Sequence, residues 1–102
     1  MYGTVARIVL KPGSRERFIA LWHEVDAQGF PGRVAEYLYR SDTDPDELYL
    51  AVVFASAEAY RRNAESPAMD ASYRRLRELM VADPEWHDGA VVYAHPGDAK
   101  EA

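Results

Sequence analysis

The order of sequence patterns predicts an α+β domain of the ferredoxin-like βαββαβ class, in which an antiparallel four-stranded sheet carries its helices on one face. Segments that alternate with a period of two are separated by segments with apolar residues at helical spacing, and turn residues mark the boundaries. A chain of 102 residues has room for one such domain. We expect the domain to span residues 1–96 and to be followed by a flexible polar tail over residues 97–102.

The first strand and the first helix are predicted from the start of the chain. Tyr2 to Leu10 alternates with a period of two, which is typical of a strand with one buried face. Ser14 follows a turn and is expected to cap a helix that ends before Gly29. The apolar stripe of this helix has the spacing i, i+3, i+4, i+7 and consists of Phe18, Leu21, Trp22 and Val25.

Two more strands are predicted in the middle of the chain. Arg33 to Arg40 is rich in Tyr and aliphatic residues with polar residues between them, as in a strand with one wetter face. A polar turn separates it from Leu48–Phe54, which is nearly all apolar. We therefore expect the third strand to be central in the sheet and buried on both faces.

A second helical region and a last strand complete the predicted order. Ser56 is expected to cap a helix, and Ser66 with Pro67 forms a second capping signal, so the helix is predicted to be broken there. The last strand is predicted over residues 90–94, which are mostly apolar.

Placing the helices on one face leaves the other face of the sheet uncovered. An exposed apolar patch of several hundred Å² normally marks an interface, and two copies packed sheet on sheet would bury this one with two-fold symmetry. We therefore expect a homodimer through the sheet face. The predicted members of the patch are Val5, Val9, Tyr49, Ala51 and Val53.

The composition excludes several classes of site. The chain has no Cys, which removes disulfides, thiolate nucleophiles and cysteine-bound metals. Its three His residues do not have the spacing of metal ligands, so no metal site is predicted. No segment has the length and apolar character of a signal peptide or a membrane span, so we expect a soluble cytoplasmic protein without a membrane partner.

The charge balance argues against a nucleic-acid partner. Twelve basic and 17 acidic residues give a net charge of −5, which repels nucleic acid over long range. The Arg-rich helical region is expected to pair with itself, since Glu58 precedes Arg62 and Asp70 precedes Arg74 by four residues.

Taken alone, the polar and aromatic residues leave two alternatives open for each candidate. His23, close to Glu24 and Asp26, is either an acid–base group or a solvated residue of a polar helix side. Several Tyr residues either line a small-molecule cavity or fill the space between two sheets, namely Tyr37, Tyr39, Tyr49 and Tyr93.

The sequence resembles the antibiotic biosynthesis monooxygenase domain family from about Thr4 to Tyr93. The resemblance is carried by several short segments, and it is their shared order and spacing that makes it specific. The segments that carry it are 10–13 (LKPG), 18–22 (FIALW), 37–46 (YLYRSDTDPD), 54–60 (FASAEAY) and 66–67 (SP).

This resemblance implies a dimeric α+β barrel with a pocket between the helices and the sheet of each subunit. Members of the family include oxygenases that oxidise hydroquinone-like or polyketide aromatics without metal or flavin, and a branch that degrades haem. The residues on which the haem branch relies align with Ala6, Asn63 and Tyr73, and all three differ here. The resemblance therefore favours a cofactor-independent monooxygenase acting on a small electron-rich aromatic molecule.

The site residues expected for this reaction fall into two groups. We expect Tyr60, Asn63 and Tyr73 to surround the reacting group, with His23 as a proton relay. Substrate-binding residues are expected to be Phe54, Leu50, Trp22 and Arg7. Two other functions stay open, because a fold does not fix a function: a non-catalytic small-molecule-binding or structural dimer, and an isomerase or cyclase.

Overall fold

The computed structural model describes residues 1–95, so the predicted tail over residues 97–102 lies outside the described residues. The described part has the order strand, helix, strand, strand, helix, helix, strand. The elements are β1 (Tyr2–Val9), α1 (Arg15–Asp26), β2 (Arg33–Arg40), β3 (Glu47–Phe54), α2 (Ala57–Ala64), α3 (Pro67–Arg77) and β4 (Glu85–Ala90).

The four strands form one antiparallel sheet in the order β2-β3-β1-β4, which confirms the predicted fold class. The core lies between the sheet and the helices, where the buried strand residues pack against Phe18, Val25 and Leu76. Among residues 1–95, no helix has the length and apolar character needed to cross a membrane.

The capping residues explain where the helices begin. Ser56 and Ser66 have extended backbones, and each side-chain hydroxyl accepts a hydrogen bond of 3.1 Å, from the N–H of Ala59 and of Met69 respectively. The predicted break between α2 and α3 is thereby confirmed. The prediction for Ser14 is wrong in one respect: its φ of −94° and ψ of −1° are helical, and its hydroxyl makes no capping bond.

The position predicted for the last strand, residues 90–94, is wrong. β4 pairs with β1 from Glu85, opposite Arg7, to Ala90, opposite Tyr2. Tyr2 begins β1, so the apolar residues that follow Ala90 have no further β1 residue to pair with. Val92 and Tyr93 are accordingly 97% and 80% exposed.

Side chains alternate between the two faces of the sheet. The covered face contacts the helices, and β3 contributes to it the buried residues Leu48, Leu50, Val52 and Phe54. The opposite side, which we call the open face, carries the other set: Val5, Arg7, Val9, Tyr37, Tyr39, Tyr49, Ala51 and Val53. The prediction that β3 is buried on both faces is therefore wrong within one protomer, because no helix packs on the open face in residues 1–95.

One irregularity in β2 decides which of its residues reach the covered face. Arg33 pairs with Phe54 and Ala35 with Val53, so Val34 is an extra residue of the kind found in β-bulges. Residues three apart in a regular strand point to opposite faces. The extra residue instead places both Arg33 and Glu36 on the covered face, where their side chains are 3.0 Å apart.

Candidate active site

A cavity of about 750 Å³ lies between the covered face and the helices. Its volume is within the range of small-molecule sites. Leu50, Val52 and Met69 add aliphatic surface, and aromatic rings form much of the remaining wall. These rings belong to Trp22, Phe30, Phe54, Tyr60, Tyr73 and Trp86.

The floor of the cavity is a single row across all four strands, one residue from each. Glu36 on β2 is opposite Val52, Val52 is opposite Thr4 on β1, and Thr4 is opposite Asp88 on β4. We call these four residues the transverse row. Neighbouring strands are ~4.8 Å apart, so the two carboxylate residues at its ends are separated by roughly 14 Å along the backbone.

Tyr60 closes the cavity above the β1 and β4 side of the row. Its hydroxyl donates a hydrogen bond of 2.9 Å to Oδ1 of Asp88, and its ring lies edge-on to Phe54 with 5.6 Å between centroids. Burial and the bond to Asp88 raise the pKa of Tyr60 to about 12. Tyr60 is therefore neutral at physiological pH, and its proton is held by Asp88.

Thr4 carries an unusual hydroxyl at the same end. The residue is 4% exposed, and within residues 1–95 its Oγ1 is the one buried side-chain oxygen or nitrogen that has no hydrogen-bond partner. The Thr4 hydroxyl lowers the pKa of the Tyr60 phenol, but burial and Asp88 raise this pKa by more. A buried polar group in this state costs free energy.

A second tyrosine–carboxylate pair lies where α3 meets the segment before β4. The hydroxyl of Tyr73 donates to Oδ1 of Asp83 over 3.4 Å, and Nε of Arg77 donates to the same oxygen over 2.7 Å. The guanidinium of Arg77 lowers the pKa of Asp83, while burial and the Asp83 charge raise the pKa of Tyr73. Tyr73 is therefore held in its neutral form as well.

Glu36 occupies the other end of the transverse row. Nε1 of Trp22 and Nη1 of Arg33 both donate to its Oε2, over 3.1 and 3.0 Å. Arg33 also forms an ion pair of 2.6 Å with Asp26 on α1. Burial raises the pKa of Glu36, and the bonds from Trp22 and Arg33 act in the opposite direction without cancelling this effect.

The structure brings most of the residues expected from the sequence to this cavity. They are Tyr60, Asn63, Tyr73, Phe54, Leu50 and Trp22. His23 lies in a separate groove of about 520 Å³ on the outer side of Glu36. Arg7 lies on the open face, where it pairs with Glu47 and Glu85.

The acidic residues of the site and Thr4 were not anticipated from the sequence. Asp88 could not be placed because the last strand was predicted too late in the chain, which left it in a turn. Glu36 reaches the cavity through the pairing of β2 with β3, which a local sequence pattern does not contain. Within residues 1–95, no three His, Asp or Glu side chains are grouped closely enough to hold a metal ion.

Comparison with solved structures gives the same fold. A protein of Chloroflexus aurantiacus described as an antibiotic biosynthesis monooxygenase is 26% identical, with a TM-score of 0.79 over 92% of this chain and 95% of that one. SnoaB, a cofactor-independent oxygenase from Streptomyces nogalater, is 21% identical, with a TM-score of 0.79 over 93% of this chain and 96% of SnoaB. Rv0793 from Mycobacterium tuberculosis is also 21% identical, with a TM-score of 0.76 over 91% of this chain and 96% of Rv0793.

Comparison of the sequence itself gives one positive result. No curated protein matches the chain. The family model "Antibiotic biosynthesis monooxygenase" matches residues 1–75, which run from β1 to most of α3 and include Tyr60, Asn63 and Tyr73. The chain therefore belongs to the antibiotic biosynthesis monooxygenase family.

Proposed function

We propose that this protein is a cofactor-independent monooxygenase acting on a small, electron-rich aromatic compound of the hydroquinone or polyketide kind. The observation that carries the proposal is the cavity: it has the size of a small-molecule site, aromatic rings form much of its wall, and two of its polar groups, Tyr60 and Glu36, are held in place by hydrogen bonds. Family membership and the fold shared with SnoaB support the same reaction class.

The polar groups of the cavity are arranged to bind a phenol and to stabilise the phenolate that forms from it. Tyr60 and Tyr73 donate hydrogen bonds to aspartates, so the lone pairs of their oxygens face the cavity and accept a hydrogen bond from a hydroxyl of the substrate. The amide of Asn63, which also lines the cavity, offers N–H donors that stabilise the negative charge as it forms. Phe54 and Trp22 confine the ring between apolar surfaces.

The reaction then needs only the substrate and O₂. A phenolate is electron-rich enough to give one electron to O₂, and the two radicals combine to form a C–O bond at the ring CH carbon para to the phenolate oxygen, as in the enol form of an anthrone. The hydroperoxide loses water to leave a carbonyl group. One oxygen atom of O₂ enters the product, the other leaves as water, and the substrate supplies all the electrons.

We also propose that two protomers pack through their open faces. Val5 is 51% exposed, and Tyr37, Tyr39 and Tyr49 are 63%, 57% and 37% exposed on the same side of the sheet. Large apolar side chains grouped in this way are typical of an interface. Pairing of identical faces about a two-fold axis would cover them in both copies.

Oxygen uptake by the purified, metal-free protein tests the proposed reaction. The substrates are a panel of hydroquinones and anthrone-type phenols, and product mass reports whether an oxygen atom is added. We expect protein-dependent uptake that falls by about 10-fold or more in Tyr60→Phe and in Asn63→Ala, because each variant loses polar contacts to the reacting group.

Arg7→Met is the control, because it also removes polar groups but acts on the open face, away from the cavity. Its uptake should stay within about twofold of the wild-type rate. Absence of uptake across the panel would contradict the oxygenase proposal.

A second candidate is a small-molecule-binding dimer without turnover. Leu50 favours it, because this buried residue lines the cavity and offers no hydrogen-bond donor that could orient a phenol. Tight binding of an aromatic compound without oxygen uptake would support this second candidate.

A further inference from the structure

The proposed reaction begins with loss of a phenolic proton, and the groups discussed so far do not accept one readily. Tyr60 and Tyr73 are held neutral, and burial raises the pKa of each. Asp88 and Asp83 already accept hydrogen bonds from these tyrosines, and both residues are exposed to solvent. His23 and Arg7 do not line the cavity. A base must therefore come from another part of the wall.

Glu36 has the geometry of a base. Its side chain is 12% exposed, and both of its protein donors, Trp22 and Arg33, bind the same oxygen, Oε2. Its other oxygen, Oε1, accepts no hydrogen bond from any residue in the range 1–95. The carboxylate is thus fixed in orientation by two donors on different elements, while half of its accepting capacity is unused.

The location of Glu36 adds a second argument. It is at the β2 end of the transverse row, on the floor of the cavity, and half-buried. The opposite end, formed by Asp88 and Trp86 on β4, is exposed. A phenol bound along the row with one oxygen at the β2 end therefore meets Glu36 in the part of the cavity that is more shielded from water, where a hydrogen bond to a carboxylate is strengthened.

We propose that Glu36 is the catalytic base of this site and that its Oε1 accepts the proton of a phenolic hydroxyl on the bound aromatic. The inference deepens the proposed oxygenase function and rests on it for the identity of the reaction. Trp22 and Arg33 are positioning residues, because both hold Oε2 and neither donates to Oε1.

The proton transfer balances without another reactant. The O–H bond of the phenol breaks, its electron pair stays on the phenolate oxygen, and the proton forms a new O–H bond with Oε1 of Glu36. Once O₂ has been reduced to a hydroperoxide by the substrate, the same proton returns to the oxygen that leaves as water. Glu36 is then ionised again for the next turnover.

The charged neighbours of Glu36 determine its dependence on pH. Arg33 on β2 favours the ionised form, Asp26 on α1 disfavours it, and Trp22 donates its neutral N–H. His23 lines the groove on the outer side of Glu36, and Asp88 is about three strand spacings away. Because burial raises the pKa of Glu36, function should be lost on acidification at a higher pH than for an exposed carboxylate.

Binding of a matched pair of probes tests this contact without turnover. The probes are 1-naphthol, which has one phenolic proton, and 1-methoxynaphthalene, which has none, titrated under argon between pH 4 and 8. We expect the affinity for 1-naphthol to be about 5-fold higher when Glu36 is ionised, because a hydrogen bond to a charged acceptor is the stronger one. This pH dependence should vanish in Glu36→Gln, and 1-methoxynaphthalene should show none.

Two further variants test whether the pH dependence of binding is specific to the carboxylate of Glu36. Glu36→Asp keeps the charge and retracts the carboxylate, so it should retain the pH dependence with lower affinity. Glu16→Gln neutralises an exposed glutamate on α1 and should behave as wild type. Thermal melts of all variants confirm that each is folded.

Turnover gives the second readout. With a substrate that supports oxygen uptake, Glu36→Gln should lower the rate by about 10²- to 10⁴-fold, the range for loss of a general base, and should abolish the acid limb of the rate profile.

Equal 1-naphthol affinity and equal pH dependence in wild type and Glu36→Gln would overturn the role of Glu36, as would failure of 1-naphthol to bind. Binding of 1-naphthol that depends on pH and requires Glu36, without oxygen uptake on any substrate, would support the contact between Glu36 and the phenol and overturn the oxygenase proposal.

Discussion

The two faces of the sheet are built from the same four strands but differ in what their side chains contact. On the covered face, Ile8 and Leu48 are each 1% exposed and pack against the helices. On the open face, Val5 and Tyr37 are 51% and 63% exposed. Successive residues of one strand therefore have different tasks: one set forms the core and the cavity, and the other forms a surface that a second protomer would cover.

Adjacent residues on one strand give the sharpest test of this comparison. Phe54 is 1% exposed on the covered face, and Val53 is its neighbour on the open face. We expect Phe54→Ala to lower the free energy of unfolding by about 3–5 kcal/mol, because it leaves a cavity in the core, and Val53→Ala by about 1 kcal/mol or less. Urea denaturation at low protein concentration measures both values. Equal losses would mean that the open face is packed as tightly as the core.

The open face can be tested by placing a charge in its centre. In Val5→Asp the carboxylate would be buried without a partner in a sheet-to-sheet dimer, so dimer dissociation should become at least ~100-fold easier, equivalent to about 2.7 kcal/mol. The fold of each protomer should persist, since Val5 is half-exposed there. Sedimentation equilibrium gives the oligomeric state. A wild-type protein that is monomeric, or a variant that dimerises as well as the wild type, would contradict the proposed interface.

A smaller effect should appear on the covered face at high pH. The pKa of Tyr60 is raised to about 12 in the folded protein, against about 10 when unfolded. Its contribution to stability is therefore complete below pH 10 and is lost as the pH rises through 12, because the unfolded state releases the proton first. Tyr60→Phe should show a shallower loss of stability across this window in urea denaturation. Identical profiles for the two proteins would show that the pKa of Tyr60 is not raised in the folded protein.

The difference between the faces also explains how much of the fold the sequence predicts. The period of two places the β1 residues Thr4, Ala6 and Ile8 on one face, and these are buried in the structure. β4 is different, since all of its residues are exposed, and it is defined by pairing with β1 rather than by its own pattern. An apolar run that follows it, including Val92 and Tyr93, carries a strand signal but has no partner strand to pair with.

The site is predictable to a similar extent. Tyr60, Asn63 and Tyr73 come to the cavity because they lie on α2 and α3, whose caps are readable in the sequence. Arg7 is assigned to the open face by the alternation of β1, and Glu47 and Glu85 meet it there only because three strands are in register. Glu36 and Asp88 depend on register in the same way. Contacts across strands are set by pairing, which a local pattern does not contain.

The extra residue Val34 decides which face of the sheet Arg33 occupies. If Val34 were paired with Phe54 in a regular strand, Arg33 would be one residue further along and would point to the open face, away from Glu36. Because Val34 is left out of the pairing, Arg33 stays opposite Phe54, and loss of Val34 would keep this register and the contact between Arg33 and Glu36. Among relatives, a gap of one residue at this position should therefore preserve the charged pair at the β2 end of the transverse row.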